Sequence, residues 1–293
     1  MKLLVDAGHD VRGVARSDEK RALLTALGAT PVECDLFDAA SVRDAAGDAE
    51  AVLHLATKIP PLMKMRSAKA WDENNQLRTD GTKNLVEASV SAGATTFVQE
   101  SITFIYADGG STWLSEDSLV APAWPAALES TLEMERLAAA FSEDERRAVI
   151  LRFGLFYGAT SAATQDSVRM MKRRMFPVMG DGSNYFSSIH VDDAARAIVA
   201  ALGAPAGTYN VVEDDPVTQR EYADACAAAF GIPRPWRSPA WTAKLMLGGP
   251  ASYVMQSMRV SNKKFKEATG WAPQYPNVRE GFKQIAAEMK AEV

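Results

Sequence analysis

Four polar residues, Gln99, Glu100, Ser101 and Thr103, follow directly on the apolar pair Phe97-Val98. A strand buried on both faces stays rich in Val and Ile, so a polar tip on an apolar start needs partners. In an open α/β sheet ligands bind beyond the carboxyl ends of the strands. The stretch FVQESITFIYADGG, residues 97–110, is therefore where a site is expected, with Asp108-Gly109-Gly110 closing it as a turn. The structural alternative is that Ser and Thr cap the loop and Glu100 pairs with Arg152.

Other candidates stand at other strand ends. Arg16-Ser17 follows a strand and precedes a helix, the place where dinucleotide-binding folds read the adenosine ribose. An Arg there can fork around a 2′-phosphate, which favours NADP, with NAD as the alternative. Solvated Arg and helix-capping Ser are their structural roles. Asp35 and Leu36 end the next strand beside an expected adenine edge, and Asp35 is equally a helix cap. In LHLATK, residues 53–58, the run Leu55-Ala56-Thr57 lets backbone approach a cofactor. Lys58 is a candidate anion or hydroxyl contact, and His54 reads as a hydrogen-bonded core histidine. HVDD, residues 190–193, reads as a helix start capped by Asp192 or Asp193 rather than as metal ligands. Arg169, Arg173 and Arg174 could grip a phosphate or form a solvated face, and Lys263, Lys264 and Lys266 read as solvated.

The elements that must position these residues alternate β and α. Residues 1–7 read as the last turns of a helix stopped by Gly8, and strands are expected at 11–15, 30–34, 51–55 and 148–153. Helices are expected at 18–27, 39–46, 75–92 and 126–141, with a Pro/Met-rich loop over 59–65. This predicts a doubly wound parallel α/β sheet, a Rossmann-type domain over 1–158 with returns to the sheet near 185–212. Residues 159–293 are expected to be mainly a smaller C-terminal substrate lobe, with helices at 167–175, 192–202, 218–230, 262–269 and 278–289 and a shared cleft.

Composition narrows the function classes. With 293 residues, 47% hydrophobic and 24% charged, the chain is an ordinary globular protein with room for a large core. A net charge of −5 argues against general nucleic-acid binding. Two cysteines, Cys34 and Cys226, give neither a disulfide framework nor a metal spacing and fit a reducing cytoplasm. No apolar run approaches a membrane span, so a cytoplasmic protein with a small-molecule substrate is expected.

In order along the chain, AGHDVRGVARS, ECDLFD, VLHLAT, DGTKNLVEASVSAGA, FVQESITFIYADGG, VILRFGLFYG, SSIHVDDAARAIVAAL and GTYNVV resemble the extended short-chain dehydrogenase/reductases, the NAD(P)-dependent epimerase/dehydratase family. The resemblance implies a Rossmann-type domain, a C-terminal lobe often binding nucleotide sugars, and often a homodimer. Two departures stand out. The family opens with a strand and a GxxGxxG turn that holds the cofactor pyrophosphate. Here neither is found; the chain begins within the following helix, an upstream truncation is the expected reason, and the two neighbours of that strand should face a gap.

The second departure is catalytic. The family's Tyr-x-x-x-Lys pair falls on Ala127 and Thr131, its catalytic Ser/Thr falls between Ser101 and Thr103 at Ile102, and Arg78 stands where Asn is usual. The resemblance is therefore to atypical members. An NADP-linked oxidoreductase or epimerase/dehydratase-like enzyme acting on a small or sugar-like alcohol or carbonyl is expected. Ser101 or Thr103 would polarise the reacting oxygen, Tyr106 or Lys58 would supply the proton, and Phe153 and Leu155 would flank the nicotinamide. The alternative is a non-catalytic dinucleotide- or metabolite-binding regulatory protein.

Overall fold

The structure is a computed structural model that describes residues 1–60, 64–248 and 250–291. Helix α1 (Lys2–Asp6) is followed by Gly8 at φ 88°, a left-handed turn open to glycine, and the chain enters β1 (Arg12–Val14). Ser17 caps α2 (Asp18–Ala26) by accepting the Lys20 amide at 3.3 Å. Then β2 (Thr30–Val32) runs parallel to β1. Asp38 caps α3 (Ala39–Ala46), and β3 (Ala51–His54) follows.

The long helix expected over 75–92 is interrupted. A 3-10 turn, Ala68–Trp71, leads into α4 (Asp72–Gln76), then a π turn, Leu77–Gly81, and then α5 (Thr82–Ser91). π turns inside helices occur frequently at functional sites, and this one carries Arg78. The chain continues through β4 (Thr96–Ile102), β5 (Trp113–Leu114), α6 (Pro125–Ala139, with Pro at its first position), β6 (Arg147–Phe153) and β7 (Leu155–Tyr157). Helix α7 (Ala162–Lys172) starts five residues ahead of the expected 167, because Ser161 accepts the Thr164 amide and nucleates it there.

After β8 (Val178–Met179), β9 (Tyr185–Phe186) and β10 (Ser188–His190) comes α8 (Val191–Ala201). Its cap is neither Asp192 nor Asp193, as expected, but His190, whose Nδ1 accepts the Asp192 amide at 3.3 Å. Asp193 is fully buried instead, where it accepts the amides of Gln274 and Tyr275. Strand β11 (Gly207–Val211) completes the central sheet. Beyond it lie β12 (Val217–Thr218), α9 (Gln219–Ala229) with a Thr218/Glu221 capping box, β13 (Arg237–Ser238), α10 (Ala240–Leu247), α11 (Pro250–Met255), β14 (Arg259–Val260), α12 (Lys263–Thr269) and α13 (Val278–Ala291).

The central sheet has the order β3-β4-β6-β11, all parallel, with Phe97 opposite Val52 and Ser101 opposite Arg152. Side chains alternate across it. Phe97, Ala148 and Ile150 pack on α5 and α6, whereas Val98, Val149 and Leu151 pack on α8 and α12. Helices therefore cover both faces, as a doubly wound α/β sheet requires. The β1–β2 pair forms its own ladder; among the described residues no strand hydrogen-bonds the facing edges of β1 and β3. An apolar crevice of about 70 Å³ near the end of β3 is lined by Met1, Leu4, Leu55 and Ile198. A second core joins Tyr157, Val168, Val217, Phe282 and Ile285, and β14 pairs back to β5. No described helix is long and apolar enough to cross a membrane.

Candidate active site

Alternation along β4 decides which of its polar tip residues meet. Residues 97, 99 and 101 face α6, and there Ser101 Oγ donates to Glu135 Oε1 at 2.5 Å. Arg152, opposite Ser101 in the ladder, grips Glu135 with Nε and Nη2 at 2.8 and 2.6 Å. Its Nη1 donates to Tyr106 Oη at 2.9 Å, and that hydroxyl donates to Asn210 Oδ1 at 2.8 Å. The Glu100–Arg152 pair, the structural alternative read from the sequence, is not formed. Glu100 points to the other face, so Glu135 takes its place. Ser101 and Tyr106 are both fully buried and committed within this network, and burial, only partly offset by Arg152, keeps the Tyr106 phenol above its ordinary pKa.

Glu100 and Arg78 form a second polar group. Burial pushes the Glu100 carboxyl above the usual range, with Arg78 pulling it down and Glu135 pushing it further up. No hydrogen bond or ion pair reaches that carboxylate among the described residues. Arg78, only 1% exposed, donates Nη1 to Thr131 Oγ1 at 2.6 Å, while its Nε has no partner. A cation from the π turn thus lies on the buried Thr131 hydroxyl of α6. Thr103 is fully buried and its hydroxyl is also without a partner. Beside them Trp71 meets Trp124 edge-on at 5.3 Å, and Phe104 stacks on Tyr253 at 4.1 Å.

The remaining expected residues line strand ends. Leu55, Ala56 and Thr57 are exposed after β3, and Asn74 Oδ1 holds this turn by accepting Thr57 Oγ1 at 3.1 Å and the Lys58 amide at 2.9 Å. Lys58 Nζ pairs with Glu73. Buried His54 meets the Leu77 carbonyl at 3.2 Å, the core role expected of it, and burial lowers its pKa to about 4. Arg16 is exposed after β1, and Ser17 is the α2 cap. Asp35 accepts the Phe37 amide at 3.0 Å, so it closes a turn while Asp38 caps α3. Leu36 is half-buried, its carbonyl accepting Asn84 Nδ2 at 2.9 Å. Phe153 is buried and Leu155 is half-buried. Exposed backbone after β3 and a free guanidinium after β1 fit the two needs of an extended dinucleotide, close main-chain approach and a cation for phosphate.

Several residues carry roles that their sequence positions did not mark. Glu135 is one turn beyond Thr131 on α6, a spacing that could have drawn attention to it. Arg78 is marked only as a departure from a usual Asn; the π turn that aims it contains no Pro and leaves its role unannounced. Tyr157 donates to buried Glu213 in the second core, pairing residues 56 apart. In the Arg169 and lysine clusters, Arg169 pairs with Asp166, Lys264 Nζ donates to the Thr208 carbonyl and Lys266 pairs with Asp214. Among the described residues no group of His, Cys, Asp and Glu could hold a metal ion.

Known proteins resemble this chain in sequence and in fold. The profile of the NAD dependent epimerase/dehydratase family matches residues 1–212. A 3-diazoavenalumate denitrifying reductase of a Streptomyces species is 31% identical over 94% of this chain and 95% of its own. Among solved structures, human epimerase family protein SDR39U1 (isoform 2) with NADPH superposes with a TM-score of 0.78 at 21% identity, covering 91% of this chain and 94% of that one. MoeE5 in complex with UDP-glucuronic acid and NAD does so with a TM-score of 0.78 at 23% identity, covering 99% and 94%. The extent of the profile match and of the reductase alignment establishes that the chain belongs to the NAD-dependent epimerase/dehydratase family.

Proposed function

We propose that the chain is an NADP-linked reductase whose acceptor takes a hydride without needing the family's tyrosine–lysine proton relay. The observation that carries this is the exchange at α6: Ala127 and Thr131 stand for the Tyr and Lys, and the nearby phenol, Tyr106, is locked to Arg152 and Asn210. The dinucleotide, when bound, supplies a hydride. A carbonyl that accepts one becomes an alkoxide and needs a proton donor. A carbon bearing a diazo group does not, because the new C–H bond forms as the C–N bond breaks and its electron pair leaves with dinitrogen. The whole-length likeness to a diazo-acting reductase supports that acceptor class.

In this reading Arg16 meets the 2′-phosphate, with Ser17, Asp35 and Leu36 around the adenosine and Leu55, Ala56 and Thr57 along the dinucleotide. Phe153 and Leu155 flank the nicotinamide. Thr103, whose hydroxyl is unpaired, touches the acceptor and Lys58 stands at the rim, while Ser101 and Tyr106 hold the strand tip in shape.

The test is consumption of NADPH, followed by its absorbance, with an arenediazonium salt, an aromatic aldehyde and a UDP-sugar as acceptors. It is run on this chain with NADPH and, in parallel, with NADH. Consumption with the diazonium salt, with dinitrogen released in equal amount, is expected; interconversion of UDP-sugars without net NADPH loss would contradict it. A non-catalytic dinucleotide- or metabolite-binding protein is the second reading, favoured by the commitment of Ser101 and Tyr106 to internal bonds. NADPH binding without turnover of any acceptor would establish that reading.

A further inference from the structure

We propose that Arg78 anchors the carboxylate of a small aromatic acid whose ring lies against Trp71, Trp124, Phe104 and Tyr253. The inference deepens, and rests on, the reading of the β4 tip as a reductase's acceptor site, since it names the acceptor's charged group and its body.

The guanidinium has five N–H donors. One bond is made, from Nη1 to the neutral Thr131 hydroxyl, and Nε is left with no partner. A buried guanidinium without a matched anion is among the costliest arrangements in a protein interior. Neither nearby carboxylate relieves it. Glu135 is held in a two-point grip by Arg152 and also accepts from Ser101. Glu100 acts on Arg78 through its field without an ion pair, and burial draws its carboxyl toward the neutral form. The cation is therefore under-matched in a way that a planar carboxylate, accepting two parallel N–H bonds, would correct.

The neighbouring aromatic side chains define the rest of the ligand. Trp71 and Trp124 meet edge-on, Phe104 and Tyr253 are stacked, and Met65, Ile102 and Leu128 fill in around them. Tyr253 belongs to both apolar groups, and the segments that carry Trp71, Arg78 and Phe104 all pack against α6, so the cation and the rings gather along one helix. Leu128 is one turn before Thr131 on α6. Such surroundings suit a flat apolar body; a sugar would leave its hydroxyls unpaired against them.

The test is calorimetric titration of the full chain with trans-cinnamate and with cinnamamide, its neutral analogue of nearly the same shape. Cinnamate is expected to bind at least about tenfold more tightly than the amide. Arg78→Met should bind the two equally, while Trp124→Leu should weaken both and keep their ratio. Equal binding of the two probes by the unaltered chain, binding of neither, or a preference for cinnamate surviving in folded R78M would each overturn the proposal. Should R78M fail to fold, the ratio on the unaltered chain decides. The reductase reading is measured separately: a cinnamate preference without NADPH consumption for any acceptor removes that reading and keeps the anchor, and consumption without the preference does the reverse.

Discussion

The residues at the β4 tip differ in what their loss should cost. Glu135 neutralises Arg152 with two bonds and also accepts from Ser101, all of it buried. Glu135→Gln leaves an uncompensated guanidinium and should lower unfolding free energy by about 3–5 kcal/mol, as urea denaturation would measure. Lys58→Met, which breaks a largely exposed pair with Glu73, should cost within about 1 kcal/mol; a loss as large as that of E135Q would contradict this account. His54 gives a pH signature. Its folded pKa, about 4, lies below the unfolded value near 6.5, so the unfolded chain binds more protons between them. His54's contribution is thus complete above pH of about 6.5 and is lost as pH falls toward about 4. In His54→Gln the slope of stability against pH in that window should flatten, and an unchanged slope would remove His54 as its source.

At the scale of the element, the sequence made the strands legible and left the interruptions hidden. Apolar runs ending in turn residues marked β3, β4 and β6 because they pair deep in the sheet. The π turn at 77–81 was not legible, since no Pro announces it and the local residues suit a continuous helix. Which face each tip residue takes follows from strand parity once the ladder is known; this is why Ser101, and not Glu100, meets Arg152. His190 outcompetes two aspartates as the α8 cap because Asp193 is drawn inward by the 274–275 backbone. The passage from β6 to β7 is equally tight. A Cβ at Gly154 would stand 2.5 Å from the Ser187 carbonyl oxygen and 3.0 Å from its carbon, both backbone. Gly154→Ala should therefore destabilise by about 1–3 kcal/mol, seen as a lower melting temperature, and a melt matching the unaltered chain would mean that β7 and β10 can part freely.

For the whole molecule, the order of elements along the chain was enough to forecast a parallel sheet wound on both faces, because βαβ connections leave few other topologies. The polar character of the β4 tip was legible in the sequence and its wiring was not: Ser101 and Tyr106, two of the candidate catalytic hydroxyls, are tied into a buried network, while Arg78, Gln99 and Thr103 each keep a polar atom without a partner among the described residues. That exchange of a titrating phenol for a fixed cation favours an acceptor that takes a hydride and sheds a leaving group. Cofactor choice is open to the same kind of test. Arg16→Ala should weaken NADPH binding at least about tenfold and leave NADH nearly unchanged, as fluorescence titration would record; equal losses for both would remove Arg16 from the 2′-phosphate. The most direct test of the central claim is the fate of the hydride itself. With NADPH deuterated at the reactive position of its nicotinamide and an arenediazonium acceptor, the account predicts an arene carrying deuterium at the carbon that lost dinitrogen. An arene without deuterium at that carbon, or acceptor recovered unchanged while the cofactor stays bound, would contradict it.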